Sequence, residues 1–149
     1  MPILAAIDEN ERSRAVVEIA ADLAGTYDDT LVALHVVPLE DFEAHKQSIE
    51  SIPGFRDFSF TREADSAKRF AREFVLETVD GFDPSQLDAR GRVGDVTEEI
   101  LSEASALDPR FLVISGRRRS PTGKAVFGNT AQQLLLNAEC PVVTRLSDE

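Results

Sequence analysis

Apolar positions along the chain come in two kinds of run, short continuous blocks and longer stretches spaced at the helical period. Ile3 to Ile7 is continuous and apolar, as in a strand buried on both faces, and it stops at Asp8-Glu9-Asn10, residues of turn and helix-capping type. From Arg12 to Ala24 the period becomes helical. Val16, Ile19, Ala20 and Leu23 share one face, Arg12, Arg14, Glu18 and Asp22 take the other, and Gly25 is the expected C-terminal stop. Thr30 to Val37 is a second buried-type strand, closed by Pro38. Leu39 to Thr61 has no clear period, and its strongest breaker is Pro53-Gly54, so a partly helical or mobile connection is expected.

The alternation then resumes. A helix is predicted from about Arg62 to Val79 on a stripe of Ala67, Phe70, Ala71, Phe74 and Val75, followed by a strand over Leu87 to Val93. Asp95, with Glu98 three residues on, has the spacing of a capping box and opens a helix that buries Val96, Ile100, Leu101 and Ala104. Phe111 to Ser115 reads as the fourth strand. A helix over Thr130 to Ala138, with Thr130 and Gln133 at capping-box spacing, leads to a last strand from Pro141 to Leu146. Strands alternating with helices predict an α/β fold, a five-stranded parallel sheet with helices on both faces. With no repeat, linker or low-complexity tract, residues 1–149 are expected to form a single domain.

Charge changes this picture more than the rest of the composition does. Twenty-seven Asp and Glu against 16 Lys and Arg give a net charge of −11, and only Lys46, Lys68 and Lys124 are lysines. Such a surface repels nucleic acid and anionic lipid, so neither is an expected partner. It also repels itself, and an acidic, lysine-poor chain suits a concentrated-salt cytoplasm where screening removes that repulsion; adaptation to high salt is the hypothesis. Cys140 is the single cysteine, which rules out an internal disulfide, and neither it nor His35 or His45 has partners at ligand spacing. The histidines read as ordinary core or surface residues, and no metal site is expected. No run approaches the ~20 apolar residues of a membrane span, and the first residues lack the pattern of a signal peptide, so a cytoplasmic location is expected.

In an open parallel sheet, ligands bind beyond the carboxyl ends of the strands, where strand order reverses. Three segments end there: Ala6-Ile7-Asp8, His35-Val36-Val37 and Ile114-Ser115-Gly116. Asp8 suits hydrogen bonds from ribose hydroxyls or an adenine amine, and equally suits capping of the first helix. The loop from Ser115 to Lys124 carries four positive charges and runs on to Gly128-Asn129-Thr130 at a helix start, where unpaired N–H groups and the helix dipole favour phosphate. The same loop could instead pair its arginines with the acidic surface. It matches neither the P-loop nor the dinucleotide fingerprint, and no Ser/His/acid or Cys/His set suggests catalysis.

These residues together resemble the universal stress protein family. The resemblance covers essentially the whole chain. It rests on Ile3-Leu4-Ala5-Ala6-Ile7-Asp8, Leu34-His35-Val36-Val37, Gly91-Arg92-Val93-Gly94-Asp95 with Ile100-Leu101, and Leu112-Val113-Ile114-Ser115-Gly116-Arg117. The most distinctive stretch is Gly128-Asn129-Thr130-Ala131, with Leu134-Leu135, Ala138 and Cys140-Pro141-Val142-Val143 beyond it. The resemblance implies a Rossmann-like sheet of the adenine nucleotide alpha hydrolase-like kind and a homodimer formed by edge-to-edge pairing of the last strands. Nucleotide-binding members carry Gly-x-x-Gly, nine residues, then Gly-Ser or Gly-Thr. Here the two leading glycine positions are Ser115 and Arg118, Gly116 is one place off the first, and Asn129 and Thr130 follow Gly128. Carried over position by position, adenine and ribose contacts come from Ala6, Ile7, Asp8 and Val36, and phosphate contacts from Ser115, Arg118, Gly128, Asn129 and Thr130.

The resemblance therefore implies an ATP-binding stress or regulatory protein, with Mg²⁺ accompanying the nucleotide and no efficient hydrolysis. The altered glycine pattern keeps a second reading open, a dimeric interaction module of the same fold that binds an acidic protein partner or a small anion instead of nucleotide. An enzyme is not the expected reading, because no carboxylate pair at the loop is dedicated to a metal and an attacking water.

Overall fold

The computed structural model describes the backbone of residues 1–50, 60–117 and 128–147. Five strands alternate with helices: β1 (Ile3–Ile7), α1 (Arg12–Tyr27), β2 (Leu31–Pro38), α2 (Leu39–Glu50), α3 (Phe60–Thr78), β3 (Leu87–Gly94), α4 (Val96–Leu107), β4 (Phe111–Arg117), α5 (Asn129–Asn137) and β5 (Val142–Ser147). A short 3₁₀ turn, Pro84–Gln86, precedes β3. The sheet is parallel throughout, in the order β3-β2-β1-β4-β5. The expected five-stranded parallel sheet with helices on both faces is the observed one.

Each face of the sheet buries one alternate set of strand side chains. Ile3, Ala5, Leu31, Ala33, Ala89 and Val113 pack with Val16, Val17 and Ala20 of α1 and Ala71 and Val75 of α3. Leu4, Val32, Leu34, Leu112 and Ile114 pack on the other side with Ile100 and Ala104 of α4 and Ala131 and Leu134 of α5. That is why β1, β2 and β4 read as continuous apolar runs: both faces of each are covered. α3 approaches β3 closely at Gly91, where a Cβ would collide with the Ala64 carbonyl and the Lys68 amide of the helix backbone.

Several element ends differ from the sequence-based expectation. α1 runs through Gly25 to Tyr27, and the left-handed C-cap is Asp28, at φ 55° and ψ 42°, whose N–H reaches the Ala24 and Gly25 carbonyls. Aspartate tolerates this conformation because its short polar side chain bonds locally, so glycine was not required. Residues 39–50 form a helix, and among its described side chains Phe42 is the buried one, against Val37, Ala67 and Val93. Pro53-Gly54 lies outside the described residues. Asp95 caps α4 as expected, its Oδ1 accepting the Glu98 N–H at 2.9 Å. The Thr130–Gln133 box does not form: α5 begins one residue earlier, with Gly128 as N-cap and its carbonyl accepting the Gln132 N–H.

A clamp of ions ties β3 to α4. Glu103, only 4% exposed, accepts Arg90 NH1 and Arg92 Nε at 2.7 Å each, while Arg92 NH1 also reaches Glu99 and Arg90 NH2 reaches Asp88. At the opposite pole, buried Asp29 accepts Arg110 Nε at 2.7 Å and the N-terminal ammonium at 3.4 Å. No helix among the described residues is long and apolar enough to cross a membrane.

Candidate functional site: a cleft at the strand tips

Strand order reverses beside β1. The chain winds outward through β2 and β3, then returns to the other side of β1 for β4. β1 pairs with β2 as far as Ile7↔His35, and β4 pairs with β5 as far as Arg117↔Ser147. Between β1 and β4 the pairing covers only Ile3–Ala5 against Phe111–Val113. Beyond Ala5 the two central strands part, and a crevice opens between main-chain segments that no neighbouring strand holds together. This is where an open α/β sheet takes its ligands.

A cleft of about 680 Å³ occupies the crevice. That is within the ~300–1,000 Å³ of small-molecule sites. Its walls are of two kinds. Beneath α4 and α5 they are apolar: Leu34, Val36, Val96, Ile100, Ile114 and Leu134. On the side of α1 and α3 they are polar: Asp8, Glu9, Arg12, His35, Asp41 and Glu63. Ser115, Gly116, Arg117, Gly128, Asn129 and Thr130 close the β4–α5 end.

Asp8 sits where β1 gives way to α1. Its Oδ1 accepts the Asn10 N–H at 2.8 Å and the Ser13 hydroxyl at 2.9 Å, and its own N–H donates to Ser13 Oγ at 2.9 Å. Asn10 Oδ1 in turn accepts the Arg12 N–H. The N-cap itself is Glu11, with helical angles and no side-chain cap. Asp8 is thus the organiser of the turn before the helix, not the cap, and it remains exposed at the cleft. Ser13, fully buried, holds both its amide and its carboxylate in place. Sequence reasoning missed Ser13, because a lone serine inside a helical pattern carries no signal until the turn is folded over it.

Gly128 caps α5 at φ −63°, and a Cβ there would meet nothing within 4 Å. Neither backbone angle nor packing among the described residues demands glycine at this position. Gly116 is different: it lies in β4, and its Cβ would stand 3.0 Å from Leu146 Cδ2 and 3.3 Å from Thr144 Cγ2. That glycine is required by the packing of β4 against β5.

Eight of the nine residues named from sequence, Ala6, Ile7, Asp8, Val36, Ser115, Gly128, Asn129 and Thr130, line this one cleft; the ninth, Arg118, lies outside the described residues, as do Arg119 and Lys124. Val96 and Ile100 were expected only as the buried face of their helix, and they also form the apolar wall. His35 and Arg12 join the polar side. His35 is a buried histidine, as the ordinary reading had it, with its ring against Phe70 at a centroid distance of 4.6 Å. Among the described residues no group of three or more His, Cys, Asp or Glu side chains is placed to hold a metal ion.

The model of the Universal stress protein family matches residues 1–144. A universal stress protein of Mycolicibacterium smegmatis is 40% identical over 77 residues, a stretch covering 49% of this chain and 58% of that relative's length. The structure of a universal stress protein from Archaeoglobus fulgidus superposes with a TM-score of 0.60 at 26% identity, over 97% of each chain. A universal stress protein solved in complex with cAMP superposes with a TM-score of 0.65 at 13% identity, over 99% of this chain and 98% of the other. At that identity the likeness speaks for the fold alone. Motifs, sheet order and the match along nearly the whole sequence agree, and the chain belongs to the universal stress protein family.

Proposed function

We propose that this protein binds an adenine nucleotide in the cleft between β1 and β4, as a stress or regulatory protein that does not turn the nucleotide over efficiently. The parting of β1 from β4 after Ala5 carries this reading, because it opens a crevice with an apolar wall on one side and a helix start at its end. Val36, Val96, Ile100 and Ile114 suit the faces of a base. Asp8, exposed and pre-set by Ser13 and Asn10, suits ribose hydroxyls or the adenine amine. The α5 N-terminus at Gly128, with Asn129 and Thr130, suits phosphate. ATP with Mg²⁺ is the form implied by family resemblance, and a relative of this fold solved with cAMP supports the nucleotide class. The biological unit in this reading is a cytoplasmic homodimer paired through β5.

The test is calorimetric titration with ATP and Mg²⁺ in molar potassium chloride, after extraction of any co-purified nucleotide. Saturable binding is expected. Asp8→Ala should weaken it tenfold or more, since hydrogen bonds to a charged group contribute about 1.5–3 kcal/mol. Gly128→Val should abolish it with the fold intact, because a Cβ at that position meets nothing within 4 Å among the described residues.

One observation favours a second reading. Ser115 holds a leading glycine position, and Gly116 is already committed to packing against Leu146 and Thr144. A dimer that binds an acidic partner or a small anion through the basic loop would need no glycine there. No binding and no carried nucleotide, in protein shown to be folded, selects this alternative.

A further inference from the structure

His35 does more at the β2 tip than fill space. It is 7% exposed, and its Nδ1 lies 2.8 Å from the Ile7 carbonyl oxygen. A carbonyl only accepts, so Nδ1 carries the proton and donates. With the proton on Nε2 instead, two lone pairs would face each other, so the contact also selects the tautomer. The ring packs on Phe70 of α3, at a centroid distance of 4.6 Å, and Phe70 in turn stands 5.6 Å from Phe74.

The other polar atom of the same peptide bond is held as well. The amide belongs to Asp8, and it donates to Ser13 Oγ at 2.9 Å. Buried side chains from β2 and α1 thus engage both the carbonyl and the N–H of the bond between Ile7 and Asp8. This bond lies where support is short, because β4 pairs with β1 only as far as Ala5. Asp8 Oδ1 accepts the Asn10 N–H at 2.8 Å and the Ser13 hydroxyl at 2.9 Å, and neither bond uses Oδ2. A carboxylate on a pinned peptide, with one oxygen committed to the turn, presents the other in a set direction.

We infer that His35 is a positioning residue for Asp8: with Ser13 it clamps the Ile7–Asp8 peptide and so fixes the carboxylate in the cleft. Its effect on ligand affinity rests on the nucleotide reading; the clamp itself does not.

The experiment joins nitrogen-15 NMR and amide exchange of the full chain to the ATP and Mg²⁺ titration, in wild type and two variants. His35→Phe keeps a ring against Phe70 and removes the donor. His35→Asn keeps an N–H in the place of Nδ1 and removes the ring. Expected are the Nδ1–H tautomer, an Asp8 amide exchanging about three- to tenfold faster in His35→Phe, and recovery in His35→Asn. Exchange is read against the Leu4 and Leu112 amides, which lie in the core and report global opening. ATP affinity should fall by about the same factor in His35→Phe, and the loss should vanish when Asp8→Ala is already present. An Nε2–H tautomer, an Asp8 amide that moves only with the core amides, or equal behaviour of the two variants would overturn the inference. A loss that persists undiminished beside Asp8→Ala would also overturn it, since His35 would then touch the ligand itself. Asp8 exchange that follows the donor, in wild-type protein that binds no ATP, supports the clamp and overturns the nucleotide reading alone.

Discussion

Gly91 and Asp29 show how much rests on single positions. At Gly91 the obstruction is helix backbone, which cannot swing aside as a side-chain tip would. Gly91→Ala is therefore expected to destabilise the fold by about 1–3 kcal/mol, the range for overpacking, visible as a lower thermal midpoint. Sequence inspection does not reveal this, since the glycine's reason lies on an element more than twenty residues away. Asp29 is held below the ordinary aspartate range first by its hydrogen bond from Arg110, against the opposing effect of burial, with the N-terminal ammonium adding to it. A lowered folded value means stability that is present above the unfolded pKa of about 3.9 and is lost as pH falls through the folded value. Denaturant midpoints should accordingly drop below about pH 4. Asp29→Asn should be less stable at neutral pH and show a shallower acid decline.

At the scale of elements, the β3–α4 clamp is the most exposed to mutation. Glu103 is buried, while Arg90 and Arg92 keep 36% and 34% of their side-chain surface. Removing the acid leaves the two guanidiniums partly solvated, so the cost should fall below the ~3–5 kcal/mol of a fully buried pair. Glu103→Ala is expected to lose on the order of 2 kcal/mol in chemical denaturation, and Glu103→Gln less. Which elements were legible in the sequence follows from the same physics. Strands covered on both faces announce themselves as unbroken apolar runs, and α3 and α4 announce themselves by period. α2 does not, because over its described first half only Phe42 is buried, between exposed Asp41, Glu43 and Ala44, and the ends of α1 and α5 shifted because Asp28 and Gly128 took the caps. The clamp escaped notice too, since alternating Asp88, Arg90 and Arg92 look like a solvated edge until α4 is laid beside them.

For the molecule as a whole, charge governs behaviour. With a net charge of −11, going from about 0.01 M to 1 M salt shortens the screening length from about 30 Å to 3 Å. The thermal midpoint should rise over that range, and equal stability at both ends would sink the idea of a high-salt protein. The site was legible as a place more than as a mechanism. Asp8, Val36 and Gly128 were recognisable because strand tips and helix starts are where this architecture takes ligands. Apart from His35 at the β2 tip the polar wall was not, since Arg12, Asp41 and Glu63 come from three separate helices and meet only in the fold.

The two outer strands of the sheet are not alike, and the difference bears on how far copies of this chain can add to one another. β5 presents Val142, Val143 and Leu146, half-buried, on a strand with one neighbour. β3, the other outer strand, carries Asp88, Arg90 and Arg92, and charges of that kind deter a further strand from joining. A pair made through β5 consumes the receptive edge of both copies and leaves only the guarded ones outside. Growth then stops at a fixed stoichiometry, and concentrating the protein should yield no ladder of larger species. If the proposed β5 pair forms, sedimentation should show one mass of two chains at every concentration above dissociation.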